Sequence, residues 1–247
     1  MRRCVSVCIV LSVLIAFGLL FQGCSGKGST KQTTPSTAEA QQGVQIRASA
    51  AELKIVEETN RVRRNPRAYA AELQAELNGP RSRWETTQTA YEAAIKDLNA
   101  APALKPLTFD EGLFRAAREH AVDMHKMNKM THTGSDGSTP SERAMRHGNY
   151  VGVGENVASS DVSSISDCDC YRTPPDVCDL RRGGGLDGGD VAYAVSLVKH
   201  WVLSTTGHRK NVLHEHFTLI GPALVSGHTS PRRFAWDAVQ KFAISKN

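Results

Sequence analysis

Aromatic residues are scarce in this sequence: phenylalanine, tryptophan and tyrosine make up 6% of the 247 residues. There is also no block of basic residues, although the formal net charge is +5. Without residues 1–23, which hold two arginines and no acid, 28 basic and 25 acidic residues remain, a net charge of +3. This mild balance, without an aromatic platform, argues against a nucleic-acid partner. Hydrophobic residues, at 40%, suffice for the core of one domain.

Several catalytic patterns are absent as well. His120 and His125 are five positions apart, so they do not share a helix face as the histidines of a helical zinc protease do. No Gly-x-Ser-x-Gly elbow of a serine hydrolase occurs. The glycines at 183, 185 and 188 have the spacing of a dinucleotide-binding loop, but no strand precedes them, and we interpret them as a turn.

The N-terminus has the pattern of an export signal. Arg2 and Arg3 precede an uncharged apolar run from Cys4 to Phe21. Gly23-Cys24 then resembles the lipobox of bacterial lipoproteins, although Phe21 and Gln22 depart from it. We predict a lipoprotein-type signal peptide over residues 1–23 and a membrane anchor through a lipidated Cys24. An ordinary secreted protein and an uncleaved transmembrane anchor are the alternatives.

Residues 24–50 are rich in Ser, Thr, Gln, Gly and Ala and predict a flexible linker. Three cysteines remain after the leader and Cys24: Cys168, Cys170 and Cys178. An exported protein allows a disulfide from Cys178 to one of the other two. A metal-binding knuckle is the alternative, but the paired spacing of a zinc site is missing.

Helical periodicity dominates the first half of the domain that follows. Apolar spacing and capping residues predict helices from Ala51 to the residue before Pro66, and over residues 66–77, 84–98, 111–128 and 140–147. Asp110 is the predicted N-cap of the fourth helix, and Thr139-Pro140-Ser141-Glu142 has the spacing of a capping box. Asp190 is predicted to cap a sixth helix, which Gly207 ends.

Strand patterns are concentrated near the C-terminus. Residues 217–225 and 233–244 predict two strands. We interpret residues 150–158, which alternate apolar residues with glycines, as a loop that leads into or lies beside a strand. Helices first and strands last favour an α+β layered domain over a doubly wound one.

Four motifs, in this order, resemble those of the CAP superfamily, which includes cysteine-rich secretory, antigen 5 and pathogenesis-related proteins; the likeness is greatest to its bacterial branch. They are His132-Thr133-Gly134, Gly154-Glu155-Asn156-Val157-Ala158, Trp201-Val202-Leu203-Ser204 and Gly207-His208-Arg209-Lys210-Asn211-Val212-Leu213. The likeness extends over residues 51–247 as one CAP (SCP) domain, apart from insertions near residues 78–103 and 160–190.

The resemblance implies a three-layer α-β-α sandwich with a mainly antiparallel central sheet and a cleft lined by two histidines and two acids. His132 and His208 match the histidines, and Glu155 matches the first acid. Ser204 stands at the place of the second acid, which weakens any mechanism that needs two carboxylates. The three matching residues could hold Zn²⁺ or another divalent metal, or could form a structural polar network.

Two functions follow as hypotheses. The leading one is an exported CAP domain, anchored by lipid at the cell envelope or secreted, whose cleft binds a metal, a lipid, or an envelope or host component. The second is a metal-assisted hydrolase, a peptidase, with His132, Glu155 and His208 as catalytic candidates. A Ser204–His208 nucleophilic pair is a further alternative, because the two residues are four apart.

Overall fold

A four-stranded sheet lies between two layers of helices in the part of the chain that the computed structural model describes, residues 47–79, 85–162, 186–230 and 233–246. The predicted signal peptide, most of the linker and Cys168, Cys170 and Cys178 lie outside these residues. No helix within the described ranges is long and apolar enough to cross a membrane.

The helices and strands come in the following order. The helices are α1 (Ala50–Arg64), α2 (Pro66–Leu77), α3 (Glu85–Ala100), α4 (Glu111–Met127), α5 (Pro140–Met145), α6 (Leu186–Leu203) and α7 (His208–Val212). The strands are β1 (Thr108–Phe109), β2 (Tyr150–Val162), β3 (Leu219–Ser230) and β4 (Arg233–Ser245).

The strand order in the sheet is β1-β3-β4-β2. Strand β4 pairs with β2 and with β3 in antiparallel fashion, whereas the short β1 runs parallel to β3. The sheet is therefore mixed but mainly antiparallel, as predicted. In the register of β2 and β4, Glu155 lies opposite Lys241 and Asn156 lies opposite Gln240.

Successive side chains of a strand point to opposite faces, and both faces of this sheet are covered. Val157, Ala223 and Val239 pack with the buried face of α4. On the other face, Ala158, Ile220, Ala238 and Phe242 belong to a core that also contains residues of α1, α2, α3, α6 and α7. Burial of each large apolar side chain stabilises the fold by about 1.5–3 kcal/mol. The predicted α+β class and three-layer α-β-α sandwich are confirmed.

The predicted helix caps at the start of α4 and α5 are confirmed. The Asp110 side chain accepts the Leu113 N–H at the start of α4, and Thr139 and Glu142 form both hydrogen bonds of a capping box at α5. A second capping box, between Ser49 and Glu52, opens α1. Each such cap satisfies helix N–H groups that have no partner within the helix.

Three predictions about element boundaries are wrong. Residues 150–158 belong to strand β2, which pairs with β4 and accommodates Gly152, at a φ of 71°, in a register irregularity between Val151 and Val153. Asp190 lies inside α6, which already begins at Leu186. Gly207, at a φ of 117°, is the N-cap of α7 instead of the end of α6.

Candidate functional site

The carboxylate of Glu155 is the centre of the candidate site. Its side chain is 1% exposed, and Lys241 Nζ, on a fully buried side chain, lies 2.5 Å from Oε2. The pairing of β2 with β4 places the two residues directly opposite each other, where side chains on one face of a sheet meet. Lys241 Nζ also donates to the backbone oxygen of Pro140, at 3.2 Å.

Arg143 of α5 supplies a second buried cation. Its Nη2 donates to both Glu155 oxygens, at 3.2 and 3.0 Å, and to the His132 carbonyl at 2.8 Å. Its Nη1 donates to the Ser138 carbonyl. Because Arg143 follows the capping box of this short helix, the same local structure that starts α5 also sets the guanidinium against the carboxylate.

His132 completes this group, which we call the Glu155 cluster: Glu155, Lys241, Arg143 and His132. Nδ1 of His132 lies 2.9 Å from Glu155 Oε1, and the His132 side chain is half exposed. An ionised carboxylate only accepts hydrogen bonds, so Nδ1 carries the proton. In the neutral ring, Nε2 then keeps its lone pair.

The charges of the cluster determine its protonation. Burial alone would raise the pKa of Glu155, but the hydrogen bond to His132 and the charges of Lys241 and Arg143 outweigh it and lower the pKa to about 2. Burial lowers the pKa of Lys241, and Glu155 opposes this shift. Glu155 is therefore ionised at neutral pH and, with a pKa far below 7, is a weak base.

A chain of amides connects this cluster to α7. Asn156 donates to the His208 carbonyl at 3.3 Å and to Gln240 Oε1 at 3.0 Å. Asn211 donates to the Glu155 carbonyl at 3.2 Å and to Asn156 Oδ1 at 2.8 Å. Asn156 and Gln240 are fully buried, so these hydrogen bonds compensate for their lost hydration and fix α7 to β2.

His208 enters the site from the start of α7. Burial, followed by the nearby His200 and His132, lowers its pKa to about 4, so the ring is neutral at pH 7. Its Nδ1 atom is buried and has no hydrogen-bond partner among the described residues. With this pKa the His208 ring transfers protons poorly at neutral pH. Its unpartnered nitrogen is better suited to a hydrogen bond with an uncharged polar group.

The structure thus brings two of the predicted residues, His132 and Glu155, into direct contact and places His208 beside them. It does not form the alternative nucleophilic pair, because the Ser204 hydroxyl lies 2.9 Å from that of Thr206 in its own turn. Ser204 also accepts the Thr206 N–H, which fixes that turn.

The residues can be tested for their fit to a divalent metal. Among the His, Cys, Asp and Glu side chains in the described ranges, no group of three or more is arranged to hold a metal ion. Both Glu155 oxygens accept hydrogen bonds from cations, so a metal ligated there would lie beside Arg143 and Lys241. The carboxylate does not fit as a ligand, which leaves His132 and His208 as the two candidate ligands, and metal binding stays a prediction.

Two cations and three amides of the site were not among the predicted site residues: Arg143, Lys241, Asn156, Asn211 and Gln240. Lys241 carries a usable signal, because it lies between Val239 and Ala243 on the same face of β4, where a buried lysine needs a counterion. Arg143 lies in a segment that the capping box already predicts as a helix, and no local pattern predicts that its side chain is buried.

Comparisons with known proteins agree with the motifs. Residues 56–236 match CAP, the cysteine-rich secretory protein family. The chain is 28% identical over 163 residues to the uncharacterized protein YkwD of Bacillus subtilis (strain 168), an alignment of 64% of this chain and 51% of YkwD. It therefore spans about half the length of that curated relative.

Two solved structures are also similar. One is an extracellular protein containing an SCP domain from Bacillus anthracis, with 22% identity, 64% of this chain and 39% of that chain aligned, and a TM-score of 0.37. The other is an outer surface protein from Borrelia burgdorferi, with 20% identity, 65% of this chain and 90% of that chain aligned, and a TM-score of 0.39. On the match over residues 56–236, the chain belongs to the cysteine-rich secretory protein (CAP) family.

Proposed function

We propose that this chain is an exported CAP-domain protein that binds a ligand at the exposed side of the Glu155 cluster, the mouth lined by His132 and His208, and does not hydrolyse it. One observation carries the proposal: both oxygens of Glu155 are held by Arg143, Lys241 and His132. A general base needs a pKa near the working pH, and a catalytic metal ligand needs a free lone pair. Glu155 meets neither requirement, and Ser204 replaces the second acid of the family.

The mouth of the cluster offers ring nitrogens to a ligand. His132 is half exposed, and His208 is intermediate in exposure and neutral at pH 7. Zn²⁺ would meet these two rings and the excess positive charge of Lys241 and Arg143 behind them. We therefore expect zinc binding to be weak compared with the structural zinc sites of proteins, which have four ligands. A lipid and an envelope or host component are the other ligand classes that this mouth can receive.

Export is supported by the leader pattern of Arg2, Arg3 and the apolar run before Gly23-Cys24. Lipidation of Cys24 would anchor the domain through the linker of residues 24–50. The matched variants are Cys24→Ser and Cys8→Ser. We expect Cys24→Ser to move the protein from the membrane fraction to the soluble fraction and Cys8→Ser to leave it in place. Equal membrane partitioning of both variants contradicts the anchor.

A hydrolysis assay separates the binding function from the peptidase alternative. We expect no turnover of a mixed peptide library by the purified protein, with or without added Zn²⁺. Turnover that a His132→Ala/His208→Ala double variant abolishes would overturn the proposal and establish a hydrolase.

Calorimetry then tests the metal as the ligand. The matched control is a His214→Ala/His216→Ala double variant, which removes the same number of imidazoles outside the cluster. If Zn²⁺ binds at the mouth, only the His132/His208 double variant loses the binding heat. Equal heats in both double variants exclude zinc as the ligand of this site.

A further inference from the structure

A hollow of about 290 Å³ lies at the open edge of β3, between the start of α1 and α4. Strand β1 pairs with β3 only as far as Ile220, so the β3 edge from Leu224 onward has no neighbouring strand within the described residues. The hollow is lined by Leu224, Ser226, Trp236, Arg118, Glu52 and Arg47, among others. Trp236 and Lys241 are about 17 Å apart along β4, so this hollow is separate from the Glu155 cluster.

Glu52 forms the fixed floor of this β3-edge hollow. Its side chain is 1% exposed, and its oxygens accept hydrogen bonds from the Ser49 N–H at 2.7 Å and from the Leu224 N–H at 3.0 Å. The Leu224 bond takes the place of a strand on the uncovered edge. Arg118 Nη1 lies 3.3 Å from the same carboxylate, which holds the guanidinium at the rim.

Arg118 has most of its hydrogen-bonding capacity left. Its side chain is 40% exposed, and within the described residues its one polar partner is Glu52. A guanidinium has five N–H donors in a planar fork, so about four remain for a ligand. The nearby Ser226 hydroxyl is half-buried and also has no side-chain hydrogen bond in that part of the chain.

The other wall of the hollow is apolar. Leu224 and Trp236 are partly exposed and pack against the main core. The Trp236 ring is fixed by Tyr193, whose ring centroid lies 5.1 Å away. A planar cation and a rigid aromatic surface thus face the same small volume.

We propose that the β3-edge hollow binds a small molecule in which a carboxylate is joined to an apolar or aromatic group. The Arg118 fork matches the two oxygens of a carboxylate, and such bidentate pairs are roughly twice as strong as neutral hydrogen bonds. Leu224 and Trp236 line the hollow and receive the apolar group. The volume lies just below the range of about 300–1,000 Å³ for pockets of drug-sized ligands, which restricts the occupant to a smaller molecule.

Three probes test the two halves of this recognition in titration calorimetry with the purified full chain. They are 3-phenylpropionate, which has both groups, acetate, which has only the carboxylate, and 3-phenylpropanol, which lacks the charge. We expect 3-phenylpropionate to bind at least about tenfold more tightly than either comparison compound, because it alone makes both the charge-assisted hydrogen bonds and the apolar contact. No saturable binding of 3-phenylpropionate, or equal affinity for the propanol, overturns the proposal.

Variants of α4 locate the binding. Arg118→Gln removes the fork, and Arg115→Gln is the matched control, because Arg115 lies on the same helix and pairs with the exposed Glu111 outside the hollow. We expect Arg118→Gln to weaken 3-phenylpropionate binding at least about tenfold and Arg115→Gln to leave it unchanged. Equal effects of the two variants, or none from Arg118→Gln, contradict the site.

Arg118→Lys covers the case in which Arg118→Gln does not fold. Lysine keeps a charge beside Glu52 but lacks the planar fork, so it preserves the buried acid's partner. Circular dichroism confirms the fold of each variant before titration. We expect Arg118→Lys to fold and to weaken binding several-fold, and unchanged affinity in this variant would count against recognition by the fork.

Discussion

Lys241 Nζ lies 2.5 Å from Glu155 Oε2, and neither side chain is more than 1% exposed. This contact joins the two long antiparallel strands β2 and β4 at the point where the family motif Gly154–Ala158 crosses the sheet. With Arg143 it places two cations against one carboxylate inside the protein. Glu155 is thus the counterion of two buried cations.

We expect Glu155→Gln to destabilise the protein by about 3–5 kcal/mol, because it leaves Lys241 and Arg143 buried without a counterion. The free energy of unfolding from urea titration measures this. Glu111→Gln is the matched control, since Glu111 forms an exposed pair with Arg115, and its loss costs about 1 kcal/mol or less. Similar small losses in both variants would show that Glu155 is not the required counterion.

The same reasoning predicts that the stability losses of Lys241→Met and Glu155→Gln are coupled. The double variant has one buried cation fewer than the single Glu155→Gln variant, so its loss of stability is smaller than the sum of the two single losses. For residues in direct contact the coupling energy is about 0.5–3 kcal/mol. A double-mutant cycle in urea measures it, and strictly additive losses would contradict a shared ion-pair cluster.

Much of the helical layer could be predicted because its signals are local. Asp110 and Thr139 cap the helices that they precede, and Pro66 starts α2, through contacts within three residues. The resemblance identified His132 and Glu155 as neighbours, although neither spacing nor periodicity does so. For the helix caps and for the His132–Glu155 pair, the surrounding motif is sufficient to identify the role of the residues.

The remaining part of the site depends on strand register, which is not a local property. Gly152 and Gly154 lower the strand signal of β2, so the sequence around Glu155 favours a loop. The partner Lys241 is supplied by the last strand, and the antiparallel register alone places it opposite Glu155. A buried counterion for a strand lysine could be expected from the sequence, but not which acid supplies it.

We expect Gly154→Ala to destabilise the protein by about 1–3 kcal/mol through overpacking. A Cβ at this position would lie 2.8 Å from the Phe217 ring and 3.0 Å from Asn211 Oδ1. The Phe217 ring cannot move aside, because it is stacked between His214 and Phe242. Thermal unfolding followed by circular dichroism measures the loss.

The rescue variant for this clash is Phe217→Leu, which removes the ring that the new methyl group meets. We expect Gly154→Ala to cost less in the Phe217→Leu background than in the wild type. If the cost of Gly154→Ala is the same in both backgrounds, the close approach of β2 to Phe217 is not the reason for the glycine.

His208 makes the stability depend on pH. Its pKa falls from 6.5 to about 4 in the folded protein, so between these values the unfolded chain binds a proton that the folded chain does not. The contribution of His208 is fully present above pH 6.5 and is lost as the pH falls from 6.5 to about 4, by up to about 3 kcal/mol.

We expect His208→Gln to flatten the decline in urea-unfolding free energy over this window. His120, whose pKa is also lowered by burial, retains its share in the variant. His216→Gln, at an exposed position, is the control and should keep the wild-type slope. A decline as steep in His208→Gln as in the wild type would show that the His208 ring does not have to remain neutral in the fold.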